Sequence, residues 1–200
     1  PLIFPQYHKK QYYYFKYILP IVLRKALKVL TVSYHTKNLI EALYKIPEEK
    51  IHVIYHGIED HLFHRADGAK QGYILYVGRI DQTKNIERLV EAYEVLINKY
   101  KHGVALKLTG GFSGFHSDID KRVRENIEFI GNVSDEELAS LYRNASLLIL
   151  PSIYEGFGFP PLEAMACGCP VVVSSIASLP EVCGDAACYV DPYHVESIAE

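Results

Sequence analysis

Two carboxylates flank a glycine-containing turn late in the chain, in the sequence Glu155-Gly156-Phe157-Gly158 and at Glu163. Seven residues separate the two, and the pattern places Glu155 before a helix and Glu163 within its first two turns. Carboxylates bind sugar hydroxyl groups well, and the diol of a ribose is a frequent target. Gly156 and Gly158 let backbone N–H groups approach a ligand at a helix N-terminus, where anions are favoured. The pattern predicts a sugar-binding site, although Glu163 could simply complement the helix dipole.

Two cations follow the apolar run Tyr73–Val77. Arg79 comes two residues after this run and Lys84 seven residues after it, just before a predicted helix. A forked guanidinium and a point-like ammonium can together neutralise the two phosphoryl groups of a diphosphate. Two solvated loop charges would explain the pair equally well when it is taken alone. The P-loop motif is missing, and no G-x-G-x-x-G follows the run, which disfavours P-loop hydrolases and dinucleotide-dependent oxidoreductases.

The segments that position these residues alternate between strands and helices. The predicted strands are 73–77, 105–109, 127–130, 147–150 and 171–173. Their continuous apolar runs are typical of parallel strands buried on both faces, and amphipathic helices lie between them. We therefore predict an α/β fold with a Rossmann-like, doubly wound parallel sheet. Ligands of such sheets bind outside the carboxyl ends of the strands, where the residues above are found.

Together, the loop residues form a recognisable signature. It consists of Gly78-Arg79, Lys84-Asn85, Gly131-Asn132-Val133 and the block from Pro151 to Val171, which includes the two carboxylates. This signature resembles that of glycosyltransferase family 4, a group of retaining enzymes that use nucleotide sugars and have the two-domain GT-B fold. The match runs from about Tyr73 to the C-terminus, and Lys28–Asp60 resembles the segment that closes the family's N-terminal domain.

The resemblance implies a role for each matching position. Arg79 and Lys84 would hold the donor diphosphate and stabilise the leaving group, and with Glu155, which faces the transferred sugar, they form the expected catalytic set. Glu163 would bind the ribose hydroxyls. The other expected donor-binding residues are Gly78, Asn132 and Val133 beside the base, Ser152, and the segment Gly156, Phe157, Gly158 and Phe159.

The chemistry of the reaction is consistent with these roles. Cleavage of a sugar–phosphate bond develops positive charge on the sugar and negative charge on the diphosphate. Fixed cations at the leaving group stabilise that transition state, so we expect no metal and no other cofactor. The segment from Ser174 to Ala187 resembles a tail common in bacterial polysaccharide glycosyltransferases. It favours GDP-mannose as donor, with UDP-sugars second, and a polysaccharide, oligosaccharide or lipid-linked glycan as acceptor.

The chain is divided by charge. Residues 1–40 carry seven Lys/Arg and no Asp or Glu, whereas the remaining 160 carry 14 basic and 24 acidic residues. Six of the sixteen tyrosines also lie in residues 1–40. We expect a cytoplasmic protein, and cations with aromatic rings suit an anionic membrane surface, so peripheral membrane contact through residues 1–40 is one interpretation, although not the favoured one. A helix of a larger domain over Tyr12–Leu27 would explain the same residues, and nucleic acid is not an expected partner.

The expected domain organisation follows from the resemblance. Residues 1–57 would be the remnant of an N-terminal, Rossmann-like acceptor-side domain, 58–72 a linker, and 73–200 the donor-binding domain. The family's site lies between two domains, and most of the first is missing from this chain. We therefore expect the 200 residues alone to bind donor without efficient turnover.

Several alternatives remain compatible with the residues. The chain could be a non-catalytic sugar-nucleotide-binding module, or a sugar-nucleotide epimerase or phosphorylase-like enzyme on the same fold. A glycosidase that uses Glu155 and Glu163 as a catalytic pair would also fit, but it should not bind nucleoside diphosphates. For Cys167, Cys169 and Cys183 we expect buried free thiols rather than a zinc site, and the same holds for Cys188.

Overall fold

The computed structural model describes residues 12–66, 68, 71–80, 82–100, 103–111 and 124–200. The chain forms two compact units, Pro1–His56 and Gly57–Glu200.

Within residues 12–56, the first unit forms two short parallel strands and two α-helices besides shorter helical turns. Strand β1 (Val29–Thr31) pairs with β2 (Ile51–Val53), and helices α1 (Leu19–Lys25) and α2 (Tyr34–Tyr44) pack around them. Pro20 is the second residue of α1. A wide helical turn, Tyr14–Ile18, precedes α1.

The second unit is built on a six-stranded parallel sheet. Its strands are β3 (Tyr73–Val77), β4 (Leu106–Thr109), β5 (Ile127–Gly131), β6 (Ala145–Leu150), β7 (Val171–Ser174) and β8 (Cys188–Val190). Their spatial order is β5-β4-β3-β6-β7-β8, and every neighbouring pair is parallel. The predicted α/β, doubly wound fold is confirmed. Only β8 was not predicted, because a strand of three residues with two exposed positions carries no clear apolar pattern.

Helices connect the strands of this sheet. They are α3 (Ile86–Tyr100), α4 (Asp135–Asn144), α5 (Phe159–Ala166), α6 (Leu179–Cys183) and α7 (Val195–Ala199). Helix α4 begins with the two reciprocal hydrogen bonds of a capping box, since the Ser134 hydroxyl accepts from the Glu137 N–H and the Glu137 carboxylate accepts from the Ser134 N–H. The core between helices and sheet includes Tyr76, Tyr142 and several leucines that are fully buried.

The segment 58–72, which we expected to be a linker, belongs to the second unit. Phe63 is buried in its core, and its ring packs edge-on against Tyr142 at 6.0 Å between centroids. The guanidinium of Arg143 donates hydrogen bonds to the carbonyls of Leu62 and His64. The sequence did not predict this anchoring, because the segment has no periodicity and its partners lie about eighty residues away.

The order of the strands fixes where a ligand can bind. After β3 the chain adds β4 and β5 on one side and then returns to place β6 on the other side of β3. The loops that leave β3 and β6 therefore diverge, and a crevice opens at the carboxyl ends of these two strands. Arg79 and Lys84 follow β3, and the segment from Ser152 to Glu155 follows β6.

Backbone contacts between glycines hold the carboxyl ends of β3, β4 and β5 together. Gly110 has a φ of +126°, and a Cβ placed on it would lie 2.2 Å from the Gly78 carbonyl oxygen. The Gly78 N–H donates to the Thr109 carbonyl (3.0 Å), and the Gly110 N–H donates to the Gly131 carbonyl (2.8 Å). A side chain at Gly110 would therefore force the ends of two strands apart.

We expect Gly110→Ala to lower the free energy of unfolding by about 2–4 kcal/mol, because it combines overpacking with backbone strain. Gly131→Ala is the matched control: Gly131 also has a positive φ (+83°), but no atom lies within 4 Å of its added Cβ. Strain alone should cost the control about 1–2 kcal/mol. Urea unfolding followed by circular dichroism measures the free energy of unfolding of both variants. Equal losses of stability in the two variants would contradict the steric argument.

Candidate functional site

An ion pair lies at the crevice between β3 and β6. Lys84 Nζ is 2.6 Å from Glu155 Oε1, and the two side chains are only 17% and 12% exposed. Lys84 ends a short 3-10 turn after β3, and Glu155 lies five residues after β6. Desolvation of such a pair costs free energy, so the attraction between the two charges stabilises the site only when their distance is short and fixed. The sequence predicted both residues at this site but not their pairing.

Arg79 lies at the end of β3 and is exposed. The turn that carries Arg79 is held by Tyr76. Tyr76 is fully buried, and its hydroxyl donates to the Arg79 carbonyl at 3.0 Å. Gly78 has a φ of +152°, and a Cβ at this position would come within 2.9 Å of the same hydroxyl. The turn is therefore rigid at its backbone, and the Arg79 side chain extends from it.

The two glycines of the acidic motif have different roles. Gly158 has a φ of +119°, and a Cβ on it would lie 2.8 Å from a methyl carbon of Leu179, so packing and backbone conformation both require glycine. No atom lies within 4 Å of a Cβ placed on Gly156, which borders open space. Phe157 is buried, and its ring packs edge-on against the more exposed ring of Phe159 at 5.4 Å between centroids. Only Gly156 therefore leaves space for a close ligand.

Ser178, at the start of α6, orients this turn. Its buried hydroxyl lies 2.7 Å from the Phe157 carbonyl and 3.0 Å from the Glu155 carbonyl, to which it can donate. Because the C=O and N–H of a trans peptide point in opposite directions, the N–H groups of Gly156 and Gly158 face away from Ser178. The sequence alone does not predict this role of Ser178, since its partners are more than twenty residues away.

Ser152 lies beneath this turn and is fully buried. Its carbonyl accepts a 2.7 Å hydrogen bond from the Ser174 hydroxyl. Its own hydroxyl has no hydrogen-bond partner among the described residues. Among the described residues, Ser152 therefore acts through its backbone carbonyl. The hydrogen bond to this carbonyl attaches the loop after β6 to the end of β7.

Glu163 has surroundings unlike those of Glu155. It is half-buried on α5, and its Oε2 accepts a 2.8 Å hydrogen bond from the hydroxyl of the fully buried Tyr142 on α4. Burial raises the pKa of Glu163, the hydrogen bond from Tyr142 acts in the opposite direction, and Asp135 adds to the rise. Burial and the nearby Glu163 carboxyl raise the pKa of Tyr142 well above its usual value. The two carboxylates thus flank one turn but bind different partners.

Asn132 and Val133 follow β5 at the same edge of the sheet. Asn132 is exposed, and its Oδ1 would lie 3.9 Å from a Cβ placed on Gly111, which follows β4. The structure thus places both residues at the carboxyl ends of the strands, two strands away from β3.

Metal-ligating residues do not cluster in the described part of the chain. The spacing Asp-x-Asp occurs at Asp118 and Asp120, which lie outside the described residues, so the absence of a metal stays a prediction. The four cysteines, all within the described residues, form no disulfide, and Cys188 is exposed rather than buried because it lies on the edge strand β8. Burial raises the pKa of the Cys183 thiol to about 11.

Comparison with known proteins identifies relatives along the whole chain. A family model described as Glycosyl transferases group 1 matches residues 57–200, and one described as Glycosyltransferase Family 4 matches residues 2–62. O-antigen chain mannosyltransferase B of Escherichia coli is 36% identical over 98% of this chain and 56% of the relative. O-antigen chain mannosyltransferase RfbU of Salmonella typhimurium is 36% identical over 90% of this chain and 51% of the relative. The chain thus spans about half the length of these relatives.

Solved structures are similar as well. Sucrose-phosphate synthase from Thermosynechococcus elongatus superposes with a TM-score of 0.74 at 28% identity, over 90% of this chain and 49% of that one. A glycosyltransferase from Rickettsia africae gives a TM-score of 0.71 at 25% identity, over 100% of this chain and 55% of that one. The fold of this chain is that of GT-B glycosyltransferases.

The raised pKa of Glu163 predicts how stability depends on pH. In the folded protein, the pKa of Glu163 lies above the ordinary value of 4.5. The contribution of such a carboxyl to the free energy of unfolding is fully present below pH 4.5 and is lost as the pH rises through the folded pKa. Glu163→Gln removes this titration, so its free energy of unfolding relative to the wild type should increase with pH from 4 to 7. Urea unfolding at a series of pH values measures the difference.

Glu136→Gln is the control of opposite sign. Glu136 is exposed, and hydrogen bonds from its own backbone N–H and from Ser134 lower its pKa. The wild type therefore gains stability from Glu136 as pH rises from the lowered pKa toward the ordinary value of 4.5, and the control should lose relative stability over that lower pH range. A pH dependence of the same sign in both variants would contradict the assignment.

Proposed function

The chain belongs to the group 1 glycosyl transferases, and on this premise we propose that the whole protein transfers mannose from a nucleotide-diphosphate sugar to a glycan acceptor with retention of configuration. GDP-mannose is the first donor to test, and UDP-sugars are second. The names of the relatives support mannose and an O-antigen type of polysaccharide, or its lipid-linked precursor, as acceptor. Because the chain spans about half their length, these 200 residues alone should bind donor without efficient turnover.

The observation that carries this proposal is the ion pair between Lys84 and Glu155 at the crevice. The reaction develops negative charge on the diphosphate and positive charge on the sugar, and this pair supplies one fixed charge of each sign. The Lys84 ammonium has three donors, so it can keep Glu155 and also bind a phosphate oxygen. Arg79 would bind the second phosphoryl group through its forked guanidinium. Such preorganised charges stabilise the transition state without a metal.

Glu163 is the proposed ligand of the ribose. Tyr142 occupies its Oε2, which leaves Oε1 as the oxygen that would accept from a ribose hydroxyl. The hydrogen bond to Tyr142 also fixes the rotamer of the carboxylate. Asn132 and Val133 would lie beside the base.

Variants of the two cations test the proposed diphosphate site. Arg79→Ala and Lys84→Met should each weaken the binding of GDP, UDP and ADP by about 10–100-fold, because each removes a charge-assisted contact to phosphate. Lys107→Met is the matched control, since Lys107 is also a half-buried lysine paired with a carboxylate, that of Glu128. Isothermal titration calorimetry with and without EDTA measures the affinities, and EDTA should change none of them.

The same titrations separate the alternatives. Glu163→Ala should weaken a ribonucleoside diphosphate more than its 2′-deoxy analogue, because only the former offers the complete diol. A glycosidase would ignore all nucleoside diphosphates, so a wild-type chain that binds none would contradict the proposal. A non-catalytic module would bind them, but the whole protein would then transfer no sugar.

A second surface supports peripheral membrane contact of the first unit. Helix α1 packs Leu19 and Leu23 inward, whereas Ile18, Ile21 and Val22 are at least half exposed. Exposed cations lie within and on either side of α1 in the sequence; they are Lys16, Arg24, Lys25 and Lys28. Among the described residues, no helix has the length and apolar character required to cross a bilayer. We propose that the exposed face of α1 lies on an anionic membrane, on its cytoplasmic side, and brings the enzyme to a lipid-linked acceptor.

Substitution of the exposed face tests this contact. Ile21→Asp should reduce co-sedimentation with vesicles that contain anionic lipid about tenfold or more, because it inserts a negative charge into the membrane-facing side. Leu43→Asp is the control, since Leu43 is similarly exposed but lies on α2. Binding by the wild type that does not depend on anionic lipid would contradict the proposal.

A further inference from the structure

Asn85 forms a buried bridge between three parts of the second unit. Only 3% of the residue is exposed. Its Nδ2 donates to the Pro151 carbonyl at 2.9 Å and to the Pro192 carbonyl at 2.7 Å, and its Oδ1 accepts from Arg88 Nη1 at 2.9 Å. Both amide hydrogens and the carbonyl oxygen are therefore used. The side chain connects the residue before α3 with the ends of β6 and β8.

Asn85 also completes a series of contacts between two loops. Lys84 forms the ion pair with Glu155 at 2.6 Å, and the carbonyl of Thr83 accepts a 3.1 Å hydrogen bond from the Ile153 N–H. With the bridge from Asn85, three consecutive residues bind the loop 151–155, each through a different group. The residue Asn85 is more deeply buried than Thr83, Lys84 or Glu155. Of these three contacts, only that of the amide extends to Pro192, two residues after β8.

Asparagine combines two properties that this position requires. The backbone of Asn85 has a φ of +62°, a conformation that glycine, asparagine and aspartate tolerate best. Glycine would satisfy the backbone but has no side chain to bridge the loops. Aspartate would fit the same space, but its carboxylate has no hydrogen to donate to the two carbonyls. Of the residues that tolerate this conformation, asparagine alone supplies both donors and the acceptor.

We propose that Asn85 is a positioning residue, which holds the loop 151–155 against Lys84 and so sets the distance between the Lys84 ammonium and the Glu155 carboxylate. Its effect on ligand binding passes through Lys84, and this part rests on the proposed function. Asn85 itself touches no ligand, since its amide is fully occupied within the protein.

Amide hydrogen exchange tests the positioning role without any ligand. In Asn85→Gly, which keeps the positive φ accessible, the Ile153 N–H should exchange about tenfold faster because the loop opens more often. The Leu106 N–H, which bonds to the Asn126 carbonyl at the far end of β4, should exchange at an unchanged rate. An unchanged rate at Ile153 would overturn the proposal, whether or not nucleotides bind.

Two further variants guard this experiment against a simple loss of stability. Arg88→Leu removes only the hydrogen bond to Asn85 Oδ1, so it should shift Ile153 in the same direction by a smaller factor. Asn144→Gly is the matched control, because the Asn144 amide donates to a carbonyl within its own helix, that of Ser140. Faster exchange at Ile153 in this control would mean that general destabilisation, and not the bridge, governs the loop.

A double-mutant cycle with GDP tests the route through Lys84. Asn85→Gly should weaken GDP binding about tenfold in the wild-type background and less than about twofold in the Lys84→Met background. Equal effects in both backgrounds would overturn the route. If the wild-type chain binds UDP and not GDP, the cycle is measured with UDP. A wild-type chain that binds neither would contradict the proposed function and the route together, whereas the exchange result decides the positioning role by itself.

Discussion

The largely buried ion pair between Lys84 and Glu155 is the constraint on which the site depends. Removing two charges from water costs free energy. Their mutual attraction offsets this cost only when the two groups are held close together in a fixed geometry. Neither residue lies in a strand of the sheet: one ends a 3-10 turn and the other follows a strand by five residues. Loops of this kind are usually mobile, so the surrounding structure has to supply the rigidity that the pair requires.

Much of this rigidity comes from polar side chains that bind backbone carbonyls. The single hydroxyl hydrogen of Ser178 is shared between the carbonyls of Phe157 and Glu155, and the Ser174 hydroxyl donates to the Ser152 carbonyl. Asn85 does the same from the other side of the crevice. In each case a short side chain from one loop satisfies a buried carbonyl of another, which both removes a desolvation cost and fixes the separation of two backbones. Because these hydrogen bonds fix the backbone, the charged side chains attached to it also keep their positions.

Local patterns in the sequence were sufficient to predict most of the sheet. Apolar runs and helix starts are encoded within a few residues, so β3, β4, β5, β6 and β7 were all recognised. Three features were not predicted: the anchoring of 58–72, the bridge of Asn85 and the pairing of Lys84 with Glu155. Each of them joins residues that lie 66 to 107 positions apart in the sequence. Spacing placed the right side chains at one edge of the sheet, but it contained no information about which of them would bind each other.

The different partners of Glu155 and Glu163 bear on the type of chemistry. A glycosidase pair needs one carboxyl to donate a proton to a neutral leaving group, and both carboxyls must face the bond that breaks. Here Glu155 is bound by an ammonium, and Glu163 is bound by the hydroxyl of Tyr142, a residue of another helix. A diphosphate leaves as an anion and needs positive charge rather than a proton. A site that places a lysine directly against its central carboxylate is therefore better suited to an anionic leaving group than to hydrolysis by an acid–base pair.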